Sequence, residues 1–152
     1  MLAAPVAQLD RAPPSGGGGH RFESCRARLD AATVKTMLDQ HFEHARSDPA
    51  RAHEMYTEDA VLEFPQSGER FVGVENLREW RSNYPADTAF EFREVRGRDD
   101  FWVAELSVTY DGGSPSFGVS VLELRDGKIA RETIYVTEGF EAPQWRAQWR
   151  AA

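Results

Sequence analysis

Residues 55–84 read MYTEDAVLEFPQSGERFVGVENLREWRSNY. Within AVLEF, Leu62 and Phe64 fall on one side and Val61 and Glu63 on the other, which predicts a short strand. PQSGERF then turns the chain back through Phe71, because Pro and Gly suit the dihedral angles of a turn. From Gly73 onward the period changes. Val74, Leu77, Trp80 and Tyr84 recur at helical spacing, and Pro85 ends the run. Two strands followed at once by an amphipathic helix point to a fold in which helices pack on a sheet.

The flanks extend the same reading. Upstream, TVKTMLDQHFEHARSD puts Val34, Met37, Leu38, His41, Phe42 and Ala45 on one helical stripe, with Thr33 as the expected N-cap. Asp48 caps a second short helix with Pro49 in its first turn. That helix is expected to reach about Tyr56 and to turn Ala52, Met55 and Tyr56 inward. Downstream, four strands are predicted over residues 88–97, 101–111, 115–125 and 128–140. Trp102, Ala104, Leu106, Val108 and Tyr110 alternate cleanly. Asp111-Gly112-Gly113, Asp126-Gly127 and the short link over residues 97–100 are hairpin turns, so these strands form an antiparallel meander. APQWRAQW closes the chain as a short helix with Trp145 and Trp149 one turn apart. The expected class is α+β: three helices on a curved antiparallel sheet, with a pocket between the layers.

The chain has 152 residues, 41% hydrophobic and 28% charged, which suits one domain with a real core. The formal net charge is −7. Residues 1–33 contribute +1, from Arg11, Arg21, Arg26 and Arg28 against Asp10, Glu23 and Asp30, and the remainder carries −8. An acidic body excludes a phosphate backbone as the main partner, so no nucleic acid is expected. Lys35 and Lys128 are the only lysines, and no apolar run has the length of a span, so no membrane partner is expected. Cys25 is the single cysteine; it forms no internal disulfide and fits a reducing cytoplasm.

The central stretch and the strands after it resemble the nuclear transport factor 2-like superfamily, closest to its SnoaL-like branch. An aromatic, an acid pair, a short strand, a Pro turn and a Gly opening a helix stand at that family's spacing. The resemblance covers about residues 34–140 and implies a cone-shaped α+β barrel, an internal apolar cavity and a homodimer formed through the sheet. It divides the chain into an extension over 1–32, a SnoaL-like domain over 33–142 and a C-terminal helix or tail over 143–152.

The same resemblance weighs the chemistry. Ketosteroid isomerases of this superfamily carry a carboxylate base on the first strand, where this chain has Phe64. Their tyrosine donor on the first helix corresponds to Gln40, and their second donor, an acid, falls near Ser120. Phe cannot take a proton, so that route is expected to be absent. Trp80 keeps a cavity-lining aromatic position. Polyketide cyclases place an acid on the last strand, where Glu138 lies; Glu132, Ile134 and Val136 share its parity. Glu138 is therefore the candidate acid/base, against the plainer reading of a solvated strand-end charge or a partner of Arg131 or Arg81.

The expected pocket draws Gln40, His41 and Phe42 from the first helix, and Tyr56, Trp80 and Tyr84 from the module quoted above. Phe64, Ser120 and Ile134 complete it from the strands. Trp102, Tyr110 and Tyr135 are assigned to the outer face of the sheet. His41 and His44 have a helical spacing that can serve a metal, but with His53 they match no complete ligand motif, so neither metal nor cofactor is expected. Gln66, Ser67 and Glu69 either close the pocket mouth or form a plain turn. No phosphate-cradling loop is present.

Three functions fit these observations. The first is a domain that binds a small apolar or aromatic molecule. The second is a SnoaL-like isomerase, cyclase or hydrolase using Glu138. The third is a dimeric interaction protein with an incidental pocket. An enzyme requires Glu138, or another carboxylate, to open into the pocket beside a donor; a filled interior favours the interaction protein.

Residues 6–28, VAQLDRAPPSGGGGHRFESCRAR, stand apart. Pro13-Pro14 and the run Gly16 to Gly19 break any regular period. The stretch resembles the conceptual translation of a transfer-RNA gene, which places the expected translation start near Val34 or Met37 and leaves the stretch disordered.

Overall fold

The structure is a computed structural model that describes residues 29–45 and 47–151. The extension and the transfer-RNA resemblance expected before Leu29 lie outside the described residues.

Helix α1 spans Ala31–His44. Its cap is Asp30 rather than Thr33: the Asp30 carboxylate accepts from the Thr33 backbone N–H at 2.8 Å. A carboxylate at N-cap satisfies a donor that the first helical turn leaves open, so the helix begins three residues before the expected boundary and takes in Ala31, Ala32 and Thr33. Asp48 caps the short helix α2, Pro49–Ala52, as expected. A 3-10 turn over His53–Met55 then delivers Tyr56 as the first residue of a strand, not the last of a helix.

Strand β1, Tyr56–Phe64, is longer than AVLEF because exposed Glu58 and Asp59 extend it without any apolar alternation. It pairs with β2, Glu69–Val72, and α3 follows over Val74–Ser82. The remaining strands are β3 Thr88–Arg98, β4 Phe101–Tyr110, β5 Ser116–Arg125 and β6 Lys128–Glu138. Their hairpins turn at Asp99, Asp111-Gly112 and Asp126-Gly127, all at positive φ. Trp102 lies close over Gly97; a Cβ there would stand 2.7 Å from the Trp102 Cα, so the contact requires glycine.

All six strands form one sheet in the order β2-β1-β6-β5-β4-β3. Four neighbouring pairs are antiparallel as expected, but β1 and β6 run parallel, with Leu62 opposite Glu132. The sheet is therefore mixed and stays open. No local sequence signal marks this pairing, because a parallel contact between distant strands has no turn of its own. The helices pack on one face of the curved sheet, over a core that includes Leu38, Leu62, Leu77, Trp102, Leu122 and Ile129. Trp102 is thus inside, not on the outer face assigned to it. The C-terminal Gln144–Trp149 segment is a 3-10 helix whose Trp145 and Trp149 stay exposed.

Candidate functional site

The inner face of the sheet carries three buried polar side chains among its apolar ones, Ser116 and Ser120 on β5 and Glu132 on β6. Burying a carboxylate is costly unless it is paired and hydrogen-bonded, so its partners define the site. Arg81, in the last turn of α3, meets Glu132 Oε2 at 3.4 Å. The Tyr56 hydroxyl donates to the same oxygen at 2.5 Å and accepts from Arg81 Nη2 at 3.1 Å. Ser120 donates to Glu132 Oε1 at 2.8 Å. Both carboxylate oxygens are engaged, and the ion pair is nearly dry, with side chains 9% and 2% exposed.

His41 completes the cluster. One ring nitrogen, Nδ1, bonds to the Ala52 carbonyl, and Arg81 Nη1 bonds to the other, Nε2. A carbonyl requires a donor and a guanidinium requires an acceptor, so the ring is the neutral tautomer with hydrogen on Nδ1. Burial first and the Arg81 charge second hold its pKa well below the ordinary value. Burial also pushes the Tyr56 phenol well above its usual range, so it remains a donor. Around the guanidinium stand the rings of Phe42, Tyr56 and Trp80, with centroids 5.3, 5.5 and 5.7 Å away.

A pocket of about 120 Å³ opens from this cluster between the helices and the sheet. Arg81 and Glu132 supply its charged wall, and most of the rest is apolar. Phe42 stacks on Phe90 at 3.9 Å, and Trp80 lies against Phe64 and Tyr84. At one side Tyr84 and Tyr110 lie near-parallel, centroids 6.2 Å apart. Burial, the Tyr84 charge and a Tyr84 hydrogen bond raise the Tyr110 phenol to about 12.

Of the residues expected in the pocket, Phe42, Phe64, Trp80, Tyr84 and Ile134 line it. His41, Tyr56 and Ser120 lie behind its charged wall as partners of Arg81 or Glu132. Gln40 does not join them; it is exposed on α1, one residue out of the inward stripe. Glu138 is exposed at the end of β6 and outside the lining, because the inner face meets solvent there. The carboxylate that reaches the pocket is Glu132, six residues earlier on the same face. Tyr110 also lines the pocket, contrary to its assignment to the outer face. Its alternation with Leu106 and Val108, which are buried, was the signal for this placement. Gln66, Ser67 and Glu69 form an exposed turn away from the pocket.

This curved mixed sheet with its helices is the architecture of the nuclear transport factor 2-like superfamily. The sequence profile of the SnoaL-like domain matches residues 34–132, and the chain belongs to that family. Among solved structures, an NTF-2 like protein of unknown function from Burkholderia xenovorans LB400 is 38% identical, over 78% of this chain and 94% of its own, with a TM-score of 0.69. A Kribbella flavida protein provisionally named ketosteroid isomerase is 22% identical, over 81% of this chain and 91% of its own, with a TM-score of 0.68. A Sinorhizobium meliloti protein provisionally named polyketide cyclase is 23% identical, over 70% of this chain and all of its own, with a TM-score of 0.57. At those identities the last two show the fold alone. None of the curated proteins matches the sequence.

Proposed function

We propose that this domain encloses a small, largely apolar molecule between its helices and its sheet. The observation that carries the reading is an aromatic-walled pocket ending on a buried ion pair, Arg81 and Glu132. Apolar walls with a few fixed polar groups are the usual composition of a small-molecule site. Native mass spectrometry of protein purified from its source tests it. The expected result is a retained small molecule that Ile134→Trp, which fills the pocket, displaces. Equal retention by that variant overturns the reading.

Proton transfer on the bound molecule is the second reading, favoured by Glu132 as a carboxylate among the lining residues. Here Glu132 takes the acid/base role considered for Glu138. Glu132→Gln keeps the shape and abolishes that role, so unchanged turnover in the variant would exclude it.

The proposal also includes a homodimer through the outer sheet face. Phe117 and Tyr135, 42% and 49% exposed there, support it. Sedimentation velocity is expected to give two copies; a single copy at all concentrations overturns it.

A further inference from the structure

Phe140, Trp145 and Trp149 are 75%, 72% and 70% exposed, the barest aromatic rings among the described residues. Together they form an apolar patch that the single chain leaves in water. The patch has a fixed shape. Arg150 Nη2 donates to the Ala142 and Pro143 carbonyls at 2.8 and 3.0 Å, which ties the end of the segment back to its start. Trp145 and Trp149 meet edge to face at 6.4 Å, and the Arg146 guanidinium stands 6.0 Å from the Phe140 ring. A segment already held in shape loses little freedom on docking. Trp and Arg are also the side chains that most often anchor an interface.

Position and charge name the partner. The chain leaves β6 beside Phe117: a Cβ at Gly139 would stand 3.3 Å from that ring. The segment therefore starts at the end of the outer sheet face where Phe117 and Tyr135 are exposed. Residues 34–152 carry −8, and Arg146 and Arg150 are the only charges after Glu141, so the body before them carries −10. A basic segment on an acidic body suits a second acidic body. The other end of the outer face, about 20 Å along β5, offers an aromatic and acidic seat. There Phe101, 52% exposed, lies directly across from exposed Glu123.

Two copies paired face to face, with these ends opposed, bring each segment over the other copy's seat in a self-complementary contact. Pairing like ends would stack the two basic segments on each other. Six rings, three from each copy, would cover about 900 Å², more than half of the about 1,600 Å² of a standard interface. An anionic lipid surface fits less well, because two arginines add little attraction and the acidic body is repelled.

We infer that residues 140–150 are an exchanged clasp: the Phe140, Trp145 and Trp149 rings of each copy dock on the Phe101 and Glu123 end of the other copy's outer sheet face. This rests on the dimer reading above and adds the element that crosses between the copies.

Sedimentation velocity and tryptophan fluorescence of the full-length protein test it. In the natural protein, emission is expected to move to shorter wavelength, and acrylamide quenching to weaken, as rising concentration drives self-association. Trp145→Ser with Trp149→Ser removes two rings that are exposed in the single chain, and the dimer dissociation constant is expected to rise about tenfold or more. Glu123→Arg is expected to raise it too, and adding Arg146→Glu to bring it back toward the natural value. A dimer whose dissociation constant none of these substitutions changes, or whose tryptophans stay as quenched as in the single chain, overturns the inference and leaves the dimer reading standing. The quenching comparison comes from the natural protein and does not depend on a variant folding. A tryptophan shift on adding phosphatidylglycerol vesicles, with none on self-association, overturns the inference in favour of a lipid surface. Single copies at every concentration overturn the dimer reading and the inference with it.

Discussion

Along β4 the inner positions Trp102, Ala104, Leu106 and Val108 are all buried, while the outer positions begin with Phe101, 52% exposed, and continue with half-buried Val103, Glu105 and Ser107. The same split runs through β5 and β6. Inside lie Ser120, Leu122, Ile129 and Glu132; outside lie Phe117 and Tyr135. Both faces thus mix apolar and polar residues, and composition alone does not separate them. Partner geometry does. Inside, Glu132 accepts from both Ser120 and Tyr56, whereas the apolar groups outside face solvent in the single chain. Ser120, Glu132 and Tyr56 are therefore parts of one network, and removing one member affects the others.

The largest expected effect breaks that inner network. Glu132→Ala leaves the Arg81 guanidinium buried without its carboxylate and takes an acceptor from Tyr56 and Ser120. A loss of about 3–5 kcal/mol of unfolding free energy is expected, read from urea denaturation. The variant carrying Arg81→Met and Glu132→Gln together should lose much less, because no lone charge remains. A cost for Glu132→Ala no larger than for an outer-face substitution would show that the pair does not hold the fold.

The network also explains what could be read from the sequence. The α+β class, the hairpin turns and the capping of α2 follow from local chemistry, so they were legible. Helix period and strand parity put Phe42, Phe64, Trp80 and Tyr84 on inward faces, and the resemblance to the superfamily marked Phe64, Trp80 and Tyr84 as pocket rather than core residues. The parity of β6 was right as well: Glu132, Ile134 and Val136 share the inner face. Choosing Glu138 required knowing where that face ends, and this depends on the packing of distant elements. Arg81 was visible only as one of two arginines able to pair with a carboxylate. Its role comes from the parallel β1–β6 contact, which puts Tyr56 of β1 opposite Ile129 and brings its hydroxyl within reach of Glu132, further along β6. No turn or period records that contact. The Asp30 cap was missed for a different reason: Thr33 and Asp30 are both good caps, and only the backbone path chooses between them.

A smaller effect comes from acid. His41 and His53 both have their pKa lowered in the folded protein, mainly by burial. The unfolded chain then binds more protons than the folded one once the pH drops below the ordinary value of 6.5. Stability is therefore expected to fall as pH is lowered through 6.5 and on toward the depressed folded values. The urea midpoint measured across that range checks the sign. His41→Gln should make the dependence shallower, since it removes one of the two groups. A midpoint that rises on acidification over this range would contradict the neutral, buried assignment of His41.

On the outer face the expectation reverses. Tyr135→Ser should change the stability of the single chain by no more than about 0.5 kcal/mol, because half of the ring is already in water. The same substitution is expected to shift sedimentation toward the single chain if that face pairs with a second copy. Loss of stability without any change in association would mean that Tyr135 belongs with the inner set.

The smallest effect falls where the inner face reaches the pocket rim. Tyr84 is 36% exposed, and its ring lies near-parallel to that of Tyr110. Of the three causes that raise the Tyr110 phenol to about 12, burial is the largest and the other two come from Tyr84. Tyr84→Phe removes both of those and leaves most of the burial. The Tyr110 titration should therefore move down from about 12 but stop short of the ordinary 10.0, while stability changes little. Ultraviolet titration of phenolate formation, with Tyr110→Phe to identify the step, reads this shift. If Tyr84→Phe leaves the titration unmoved, burial alone sets it and the two hydroxyls do not interact. If the titration falls all the way to 10.0, the rim is as open to water as the outer face, and the boundary between the two faces lies one residue deeper, at Val108.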